Sequence, residues 1–187
     1  MRAPPIIETA RLVLRPPRLN DAEAIFNSYA TDEEVTRYLV WRPHTSIAET
    51  EEFLSRVVAF LEDGSRLTWA LTLHGDDTPR GMIELRPHGH KADVGYVLAR
   101  PFWGRGYMTE ALCAVLDYAF RNHDTYRVWA VCDAENVASA RVMEKAGMSF
   151  EGILQRYQIR PQISPAPRDA RCYARVRQTS DAKEKPC

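Results

Sequence analysis

The stretch 94–112 constrains the fold more than any other part of this 187-residue chain. Apolar side chains alternate over residues 94–98, as they do in a β-strand, and Pro101 ends the pairing. Gly104 and Gly106 then form a tight loop that leads into an apolar stripe at helical spacing. A glycine loop before a helix directs backbone N–H groups at one spot, which suits phosphate. On the glycines alone, a phosphate site and a plain connecting turn are equally good interpretations.

The composition excludes several classes of protein. Lys plus Arg equals Asp plus Glu at 25 each, so no global charge attracts nucleic acid or a membrane surface. No apolar run approaches the ~20 residues of a membrane span, and the first residues do not form a secretory signal. The four cysteines lack the spacing of a zinc site or a disulfide framework. We therefore expect a cytoplasmic protein with no metal, nucleic-acid or membrane partner.

Periodicity and turn residues predict a strand, two helices, three strands, a helix, a strand, a helix and a last strand. The predicted strands cover 11–15, 68–73, 81–86, 93–98, 126–131 and 171–177. The predicted helices begin at Asn20-Asp21, at a Ser46–Glu49 capping box, after the glycine loop (to about Asn122) and at Asn136 (to Ala146).

This order indicates a mixed α/β fold with a central, largely antiparallel, twisted sheet flanked by about four helices. We expect one domain over residues 1–187, with its core at about 8–177 and a frayed tail at 178–187. Residues 150–168 are expected to be irregular, because three prolines fall near their end.

The chain resembles the GNAT acetyltransferase superfamily, specifically its RimJ/RimL-like branch. The motifs that carry the resemblance are Thr9–Arg15, Gly95–Leu98, Phe102–Ala111, and Asn136-x-x-Ser139 running into Glu144–Met148, with Asp169 and Tyr173 near the end. Together they cover about residues 8–177 and favour the phosphate interpretation of the loop.

The resemblance implies an N-acetyltransferase domain that uses acetyl-CoA as co-substrate and needs no metal. The backbone amides expected to hold the pyrophosphate are those of Trp103, Gly104, Arg105, Gly106, Tyr107, Met108 and Thr109. The strand edge at Leu98 and Ala99 would pair with the pantetheine arm as an added strand. Asn136 would both cap its helix and contact the pantetheine. Glu110 is expected to be structural and to point away from the phosphates.

Acetyl transfer to a primary amine requires removal of a proton from the amine and, where a donor is near, a proton for the departing thiolate. By resemblance, Ser139 lies at the cofactor and would protonate the departing sulfur. Many family members use a tyrosine for this task, but this chain has Met143 at that position, which leaves Ser139 as the candidate acid. Glu84 is the first candidate for the base. Asp93, His44 and a water relay are the alternatives, and the sequence does not decide which face of Glu84's strand points inward.

The acceptor site is expected in the segments 36–45 and 155–168. Tyr38, Trp41 and His44 are predicted to contact the acceptor, or equally to pack the junction between loop and helix. An α-amine has a pKa of about 7.7–8.0 and is partly neutral at pH 7, so it needs only a weak base. A protein or peptide N-terminal α-amine is therefore one candidate acceptor.

Two other interpretations stay open at this point. One is an acetyltransferase for a small-molecule amine. The other is a non-catalytic acyl-CoA sensor, which the missing tyrosine and the unassigned base would explain. A monomer and a homodimer are both compatible with the sequence.

Overall fold

A computed structural model describes residues 5–178. In this part of the chain, eight strands form one sheet in the order β1-β2-β3-β4-β5-β6-β8-β7. The strands are β1 Ile7–Glu8, β2 Leu12–Arg15, β3 Leu67–Leu73, β4 Asp76–His88, β5 Lys91–Leu98, β6 Arg127–Asp133, β7 Ser149–Arg160 and β8 Ser164–Val176. Only the β5–β6 pair is parallel, which confirms the predicted largely antiparallel sheet. Most of the tail predicted to fray lies outside the described residues.

Helices cover both faces of the sheet. The described part of the chain has the helices α1 Ala22–Ile25, α2 Glu33–Thr36, α3 Ile47–Asp63, α4 Tyr107–Arg121 and α5 Val137–Lys145, with a π-helical turn at Phe26–Ala30. The buried stripe of α4, which includes Leu112 and Leu116, packs with α5 against Trp69 and Ile83; we call this side the α4 face. Residues of α1, α2 and α3 pack around Met82 on the opposite side, the α3 face.

Strands β5 and β6 pair at only three positions and then separate. The last paired residues are Asp93 and Trp129. Beyond them the amide of Ala99 donates to the Arg80 carbonyl of β4 at 2.8 Å. Because backbone groups alternate along an antiparallel strand, the N–H and C=O groups of Tyr96 and neighbouring even-numbered residues point towards β6 instead. The fold therefore has a wedge-shaped gap in the sheet, lined on one side by backbone groups; we call it the β5–β6 gap.

Two predicted helix caps are wrong. The Asp21 carboxylate does not cap α1, because it receives two hydrogen bonds from the buried Arg15 guanidinium, at 2.7 and 2.9 Å. Ser46 has no side-chain cap bond. Instead, Glu49 accepts hydrogen bonds from the amide and hydroxyl of Thr45, one residue earlier than expected. The helix starts themselves lie within two residues of the predictions.

The irregular segment predicted at 150–168 is also wrong, because these residues form a long β7–β8 hairpin. Pro165 and Pro167 are compatible with β8, since β6 pairs with β8 only over Ala170–Val176. At these prolines the strand has a neighbour on one side only, where a missing N–H breaks no central ladder. Pro161 lies in the turn of the hairpin.

Candidate active site

The glycine loop presents unused backbone donors. Gly106 precedes α4 with a φ of +78°, and Gly104 has a φ of +72° with open space where a Cβ would stand. Within residues 5–178, the N–H groups of residues 104–109 have no protein acceptor. The first turn of a helix leaves such groups free for an anion. These residues therefore fit a pyrophosphate of the kind that acetyl-CoA carries.

Two of the predicted cofactor-binding groups are already engaged within the protein. The amide of Trp103 donates to the Arg100 carbonyl at 3.1 Å, and its indole donates to the Leu98 carbonyl at 2.7 Å. The amide of Ala99 bonds to β4, as described above. The backbone available to a pantetheine arm is therefore the N–H of Leu98 and the groups of Tyr96, one residue further from the loop than expected.

Glu110 fastens the amino-terminal segment to the loop and has the structural role expected of it. Its carboxylate accepts hydrogen bonds from the Thr9 hydroxyl at 2.6 Å and from the Arg11 amide at 2.9 Å. The Arg11 guanidinium also donates to it and to the Arg105 carbonyl. Burial raises the pKa of the Glu110 carboxyl, but the hydrogen bonds from Thr9 and Arg11 outweigh this and lower it. The carboxylate thus points away from the free amides.

Ser139 meets a tyrosine from the neighbouring strand. The phenol of Tyr96 lies 2.9 Å from Ser139 Oγ and donates to the Ser139 carbonyl at 3.2 Å. Burial raises the Tyr96 pKa well above its usual value, so the phenol stays protonated and can donate. Asn136 Oδ1 accepts from the Ser139 amide at 3.0 Å, which confirms its helix cap. Two hydroxyl groups therefore lie together beside the β5–β6 gap.

Cys132 lies next to this pair but is a poor nucleophile. Its thiol is 3.7 Å from the Asn136 carbonyl oxygen. Burial raises the pKa of Cys132 to about 11, so the thiol is neutral at physiological pH. A thiolate is the reactive form of cysteine, and this environment disfavours it.

The carboxylates considered as bases are held by arginines. Glu84 lies on the α3 face, where it accepts from Arg86 at 2.7 Å and from Arg66 at 3.4 Å. One Asp93 oxygen also accepts a hydrogen bond from the Arg86 guanidinium at 2.7 Å, and His88 Nε2 lies 2.7 Å from the other oxygen. This arrangement answers which face Glu84 occupies. It also argues against Glu84 as the base, because Oε1 accepts from both guanidinium groups and Oε2 accepts from a threonine hydroxyl at 3.3 Å.

The three residues predicted to contact the acceptor lie between α2 and α3. His44 Nδ1 is 2.7 Å from Thr50 Oγ1, and its ring centroid is 5.1 Å from that of Trp41. Burial lowers the His44 pKa, so the ring is neutral near pH 7. The Arg37 guanidinium covers Tyr38 at 5.6 Å. Trp41 and His44 thus pack the junction with α3, and an acceptor contact by any of the three stays a prediction.

The β7–β8 hairpin closes this side of the molecule. Gln162 at its tip donates to Thr36 Oγ1 at 2.6 Å, across 126 positions of sequence. Thr36 follows Val35, which belongs to the core of the α3 face. The hairpin therefore contacts α2 on the side of the sheet opposite α4, where the free loop amides lie.

A family model described as "Acetyltransferase (GNAT) domain" matches residues 11–149. The chain belongs to the GNAT acetyltransferase family. The match includes both the glycine loop and the Tyr96–Ser139 pair, so these features lie within the GNAT domain. The family confirms the predicted fold and shows that the protein is an acyltransferase.

Known GNAT proteins resemble this chain over most of its length. An uncharacterized N-acetyltransferase of Bacillus subtilis, YoaA, is 30% identical and aligns over 92% of this chain and 97% of its own. Mycobacterium smegmatis RimJ, solved with a CoA disulfide, has a TM-score of 0.76, 26% identity and coverage of 93% and 85%. RimL, described as a ribosomal L7/L12 alpha-N-protein acetyltransferase, has a TM-score of 0.80 and 21% identity, and the match covers 91% of this chain and 97% of RimL. These neighbours support the RimJ/RimL-like resemblance.

The described residues contain neither a metal-binding cluster nor a membrane-spanning helix. Within residues 5–178, no group of three or more His, Cys, Asp or Glu side chains is arranged to bind a metal ion. Among the helices of the same residues, none is both long and apolar enough to cross a membrane.

Tyr96 is the functional candidate that sequence reasoning missed. The alternation of its strand placed it only on one face with Val94 and Leu98, and the resemblance placed Gly95-Tyr96 in a motif without giving the phenol a role. The contact with Ser139 joins positions 43 residues apart. Only the pairing of β5 with β6, and the placement of α5 after β6, brings the two together.

Proposed function

We propose that this GNAT protein transfers an acetyl group from acetyl-CoA to a primary amine by direct attack in a ternary complex. The observation that carries the proposal is the β5–β6 gap, which has free amides at its loop end and paired hydroxyls beside it. The free amides suit a phosphate, and the hydroxyl pair suits a departing sulfur. A site that only bound phosphates would not need the hydroxyl pair.

Each group has a distinct task in this proposal. The amides of residues 104–109 hold the pyrophosphate, and the N–H of Leu98 pairs with the pantetheine. A strand N–H facing the gap stabilises the oxyanion of the tetrahedral intermediate. Ser139 gives its hydroxyl proton to the departing thiolate and recovers a proton from the water relay that receives the amine proton. The Tyr96 phenol stays protonated and orients the serine hydroxyl. Acetyl-CoA supplies the activated acetyl group.

We favour an α-amine acceptor, including the N-terminus of a protein or peptide. Glu84 and Asp93, the two carboxylates considered as bases, are held by arginines, so a water relay would carry the amine proton away. An α-amine with a pKa of about 7.7–8.0 tolerates this, whereas a lysine amine near 10.4 does not. The described acceptor of RimL, an α-amine of a ribosomal protein, agrees with this choice. A small-molecule amine is the alternative acceptor.

The neutral thiol of Cys132 supports direct attack over an acetyl-cysteine intermediate. An acetyl-enzyme would need a thiolate beside the thioester, and the Cys132 pKa of about 11 opposes it. The paired hydroxyls also speak against a non-catalytic acyl-CoA sensor, which needs no proton donor beside the gap.

Cofactor binding tests the loop first. We expect Gly104→Val to weaken acetyl-CoA binding by on the order of 100-fold, about 2.8 kcal/mol, because its side chain would enter the phosphate position. Gly75→Val is the matched control, because Gly75 has a similar φ of +79° and equally open space, but lies in the β3–β4 turn. Isothermal titration measures both. Equal affinities in the two variants would contradict the loop assignment.

An acceptor screen tests the chemistry. Acetyl-CoA would be offered with N-terminal peptides, free amino acids, polyamines and aminoglycosides, and CoA release would be followed together with the mass of the product. Acceptor-dependent turnover supports the proposal. Binding of acetyl-CoA without turnover of any amine would favour the sensor.

A further inference from the structure

Arg160 is a largely buried cation that has no partner among residues 5–178. This last residue of β7 is 5% exposed. Within residues 5–178, its guanidinium forms neither a salt bridge nor a hydrogen bond, although none of its nitrogens is completely enclosed. Burial lowers the Arg160 pKa, yet an arginine keeps its charge at any physiological pH. A buried charge is costly unless it is paired, so an arginine in this state requires an explanation.

The nearest carboxylate is not available to Arg160. Asp133 acts on the Arg160 charge, but its side chain is fully buried and bound elsewhere. Arg168 donates to its two oxygens at 2.7 and 3.1 Å, and the Glu135 amide donates to it at 3.0 Å. Asp133 is thus fully paired with Arg168, and it offers no free oxygen to Arg160.

The position of Arg160 relates it to the acceptor rather than to the cofactor phosphates. Gln162, two residues further on, bonds to Thr36 on the α3 face. The free loop amides lie on α4, which packs on the other face of the sheet. Cys132 also acts on the Arg160 charge, and this thiol adjoins the Ser139 helix cap. Arg160 therefore lies near the end of β6, where the hairpin meets α2, beside the segment 36–45 that is predicted to bind the acceptor.

From this placement we infer that Arg160 binds a carboxylate carried by the acceptor close to its reactive amine. The inference rests on the proposed acetyltransferase function and narrows its substrate class to amines that carry an anionic group. A guanidinium matches a carboxylate with two parallel N–H···O bonds, which also orients the amine. The same charge repels polycations, so polyamines are expected to be poor acceptors.

Matched acceptors test the inference. They are amidated peptides that differ only by Asp or Asn at the second position, so that the reactive α-amine has the same immediate neighbours in both. In the wild type we expect kcat/KM to favour the carboxylate member by about 10- to 100-fold, the value of a charged hydrogen bond. Arg160→Met should reduce the ratio to near one, and Arg160→Lys should give an intermediate ratio. Arg141→Met, at an exposed arginine on α5, is the control.

Two further measurements separate the explanations. The acetyl-CoA dissociation constant should be unchanged in Arg160→Met; a large increase would show that Arg160 binds the cofactor and would overturn the inference. The melting temperature of Arg160→Met should be equal to or above that of the wild type, because an unpaired buried charge is removed. A fall of more than about 5 °C in both Arg160 variants would show a structural role and also overturn it.

The failures of the two proposals differ. Turnover of amines by the wild type with no preference for a carboxylate would overturn the Arg160 inference alone. Absence of turnover with every amine would overturn the acetyltransferase proposal, and the Arg160 inference with it.

Discussion

At the residue scale, the proposed chemistry depends on two hydroxyl groups that share one hydrogen bond. Ser139 is oriented from two sides, by the Asn136 cap at its amide and by the Tyr96 phenol at its side chain. The raised pKa of Tyr96 keeps a proton in this pair at neutral and moderately alkaline pH. A serine alone is a weak acid. In the proposed step the protonated phenol donates a hydrogen bond that orients the serine and stabilises charge on its oxygen, and water replaces the proton that the serine passes on.

Removing either hydroxyl tests this arrangement. We expect Ser139→Ala to lower kcat by about 10- to 100-fold and Tyr96→Phe by a smaller factor, with the acetyl-CoA dissociation constant nearly unchanged. Because the two groups act as a unit, the double variant should be no slower than Ser139→Ala. Steady-state kinetics on one acceptor measures all three. Full turnover by Ser139→Ala across the pH range would show that another group is the acid.

The pH dependence follows from the same residues. Only the neutral amine attacks, so kcat/KM should rise with pH and level off near the acceptor's own pKa, about 7.7–8.0 for an α-amine. The raised Tyr96 pKa means that no descending limb should occur below about pH 9.5. A rate profile from pH 6 to 10 measures this. A bell-shaped pH dependence of kcat/KM centred near neutral pH would indicate instead that an acidic group of the enzyme loses its proton in this range.

At the element scale, the amino-terminal segment and the first turn of α4 act as one unit. Thr9 and Arg11 meet at the Glu110 carboxylate, about 100 positions away in sequence, and Arg11 also reaches the carbonyl of Arg105. The loop is thereby held from behind while its amides stay free. The turn between β1 and β2 and the helix α4 thus fix the loop conformation together.

Glu110→Gln should release this unit. We expect a loss of about 1–2 kcal/mol in the free energy of unfolding and a several-fold weaker acetyl-CoA affinity. Because the folded Glu110 pKa is lowered, its stabilisation is complete above the unfolded value and disappears as the pH falls through the folded one. Urea unfolding measures the free energy of unfolding of both proteins at pH 7 and below pH 4. The difference between wild type and variant should shrink at the lower pH. Glu52→Gln, in an exposed pair with Arg56, is the control and should change little.

At the scale of the whole molecule, a buried ion pair ties the first long strand to the rest of the fold. Arg15 and Asp21 have side-chain exposures of only 4% and 7%, and Arg15 also contacts the Asp77 side chain. The pair joins β2, the turn before α1 and the beginning of β4. It lies remote from the gap, so its effect should be on stability alone.

Arg15→Met should therefore destabilise the protein by about 3–5 kcal/mol, because it leaves the Asp21 carboxylate buried and unpaired. Arg18→Met is the matched control, since Arg18 pairs with the exposed Asp77 and is itself 54% exposed; it should change stability by less than about 1 kcal/mol. Denaturant unfolding compares the two. Equal losses would show that burial of the pair contributes nothing.

The sequence by itself determined the cofactor half of the protein. The strand, the two glycines and the helix of stretch 94–112 are contiguous, so their conformations follow from alternation, backbone freedom and helical spacing. Asn136 caps α5 through Ser139, three residues away, and was predicted for the same reason. Local patterns also gave most element positions, although side-chain caps failed where Asp21 found a stronger partner in Arg15.

Only the tertiary structure decided what faces the gap. The pairing of Tyr96 with Ser139, the arginines around Glu84, the Gln162–Thr36 contact and the isolated charge of Arg160 all depend on strand order and register. A short sequence does not encode register, because the same side chain serves either face after a shift of one residue. The amide donors proposed for the cofactor thus belong to neighbouring residues, whereas the groups proposed around the acceptor come from distant parts of the chain.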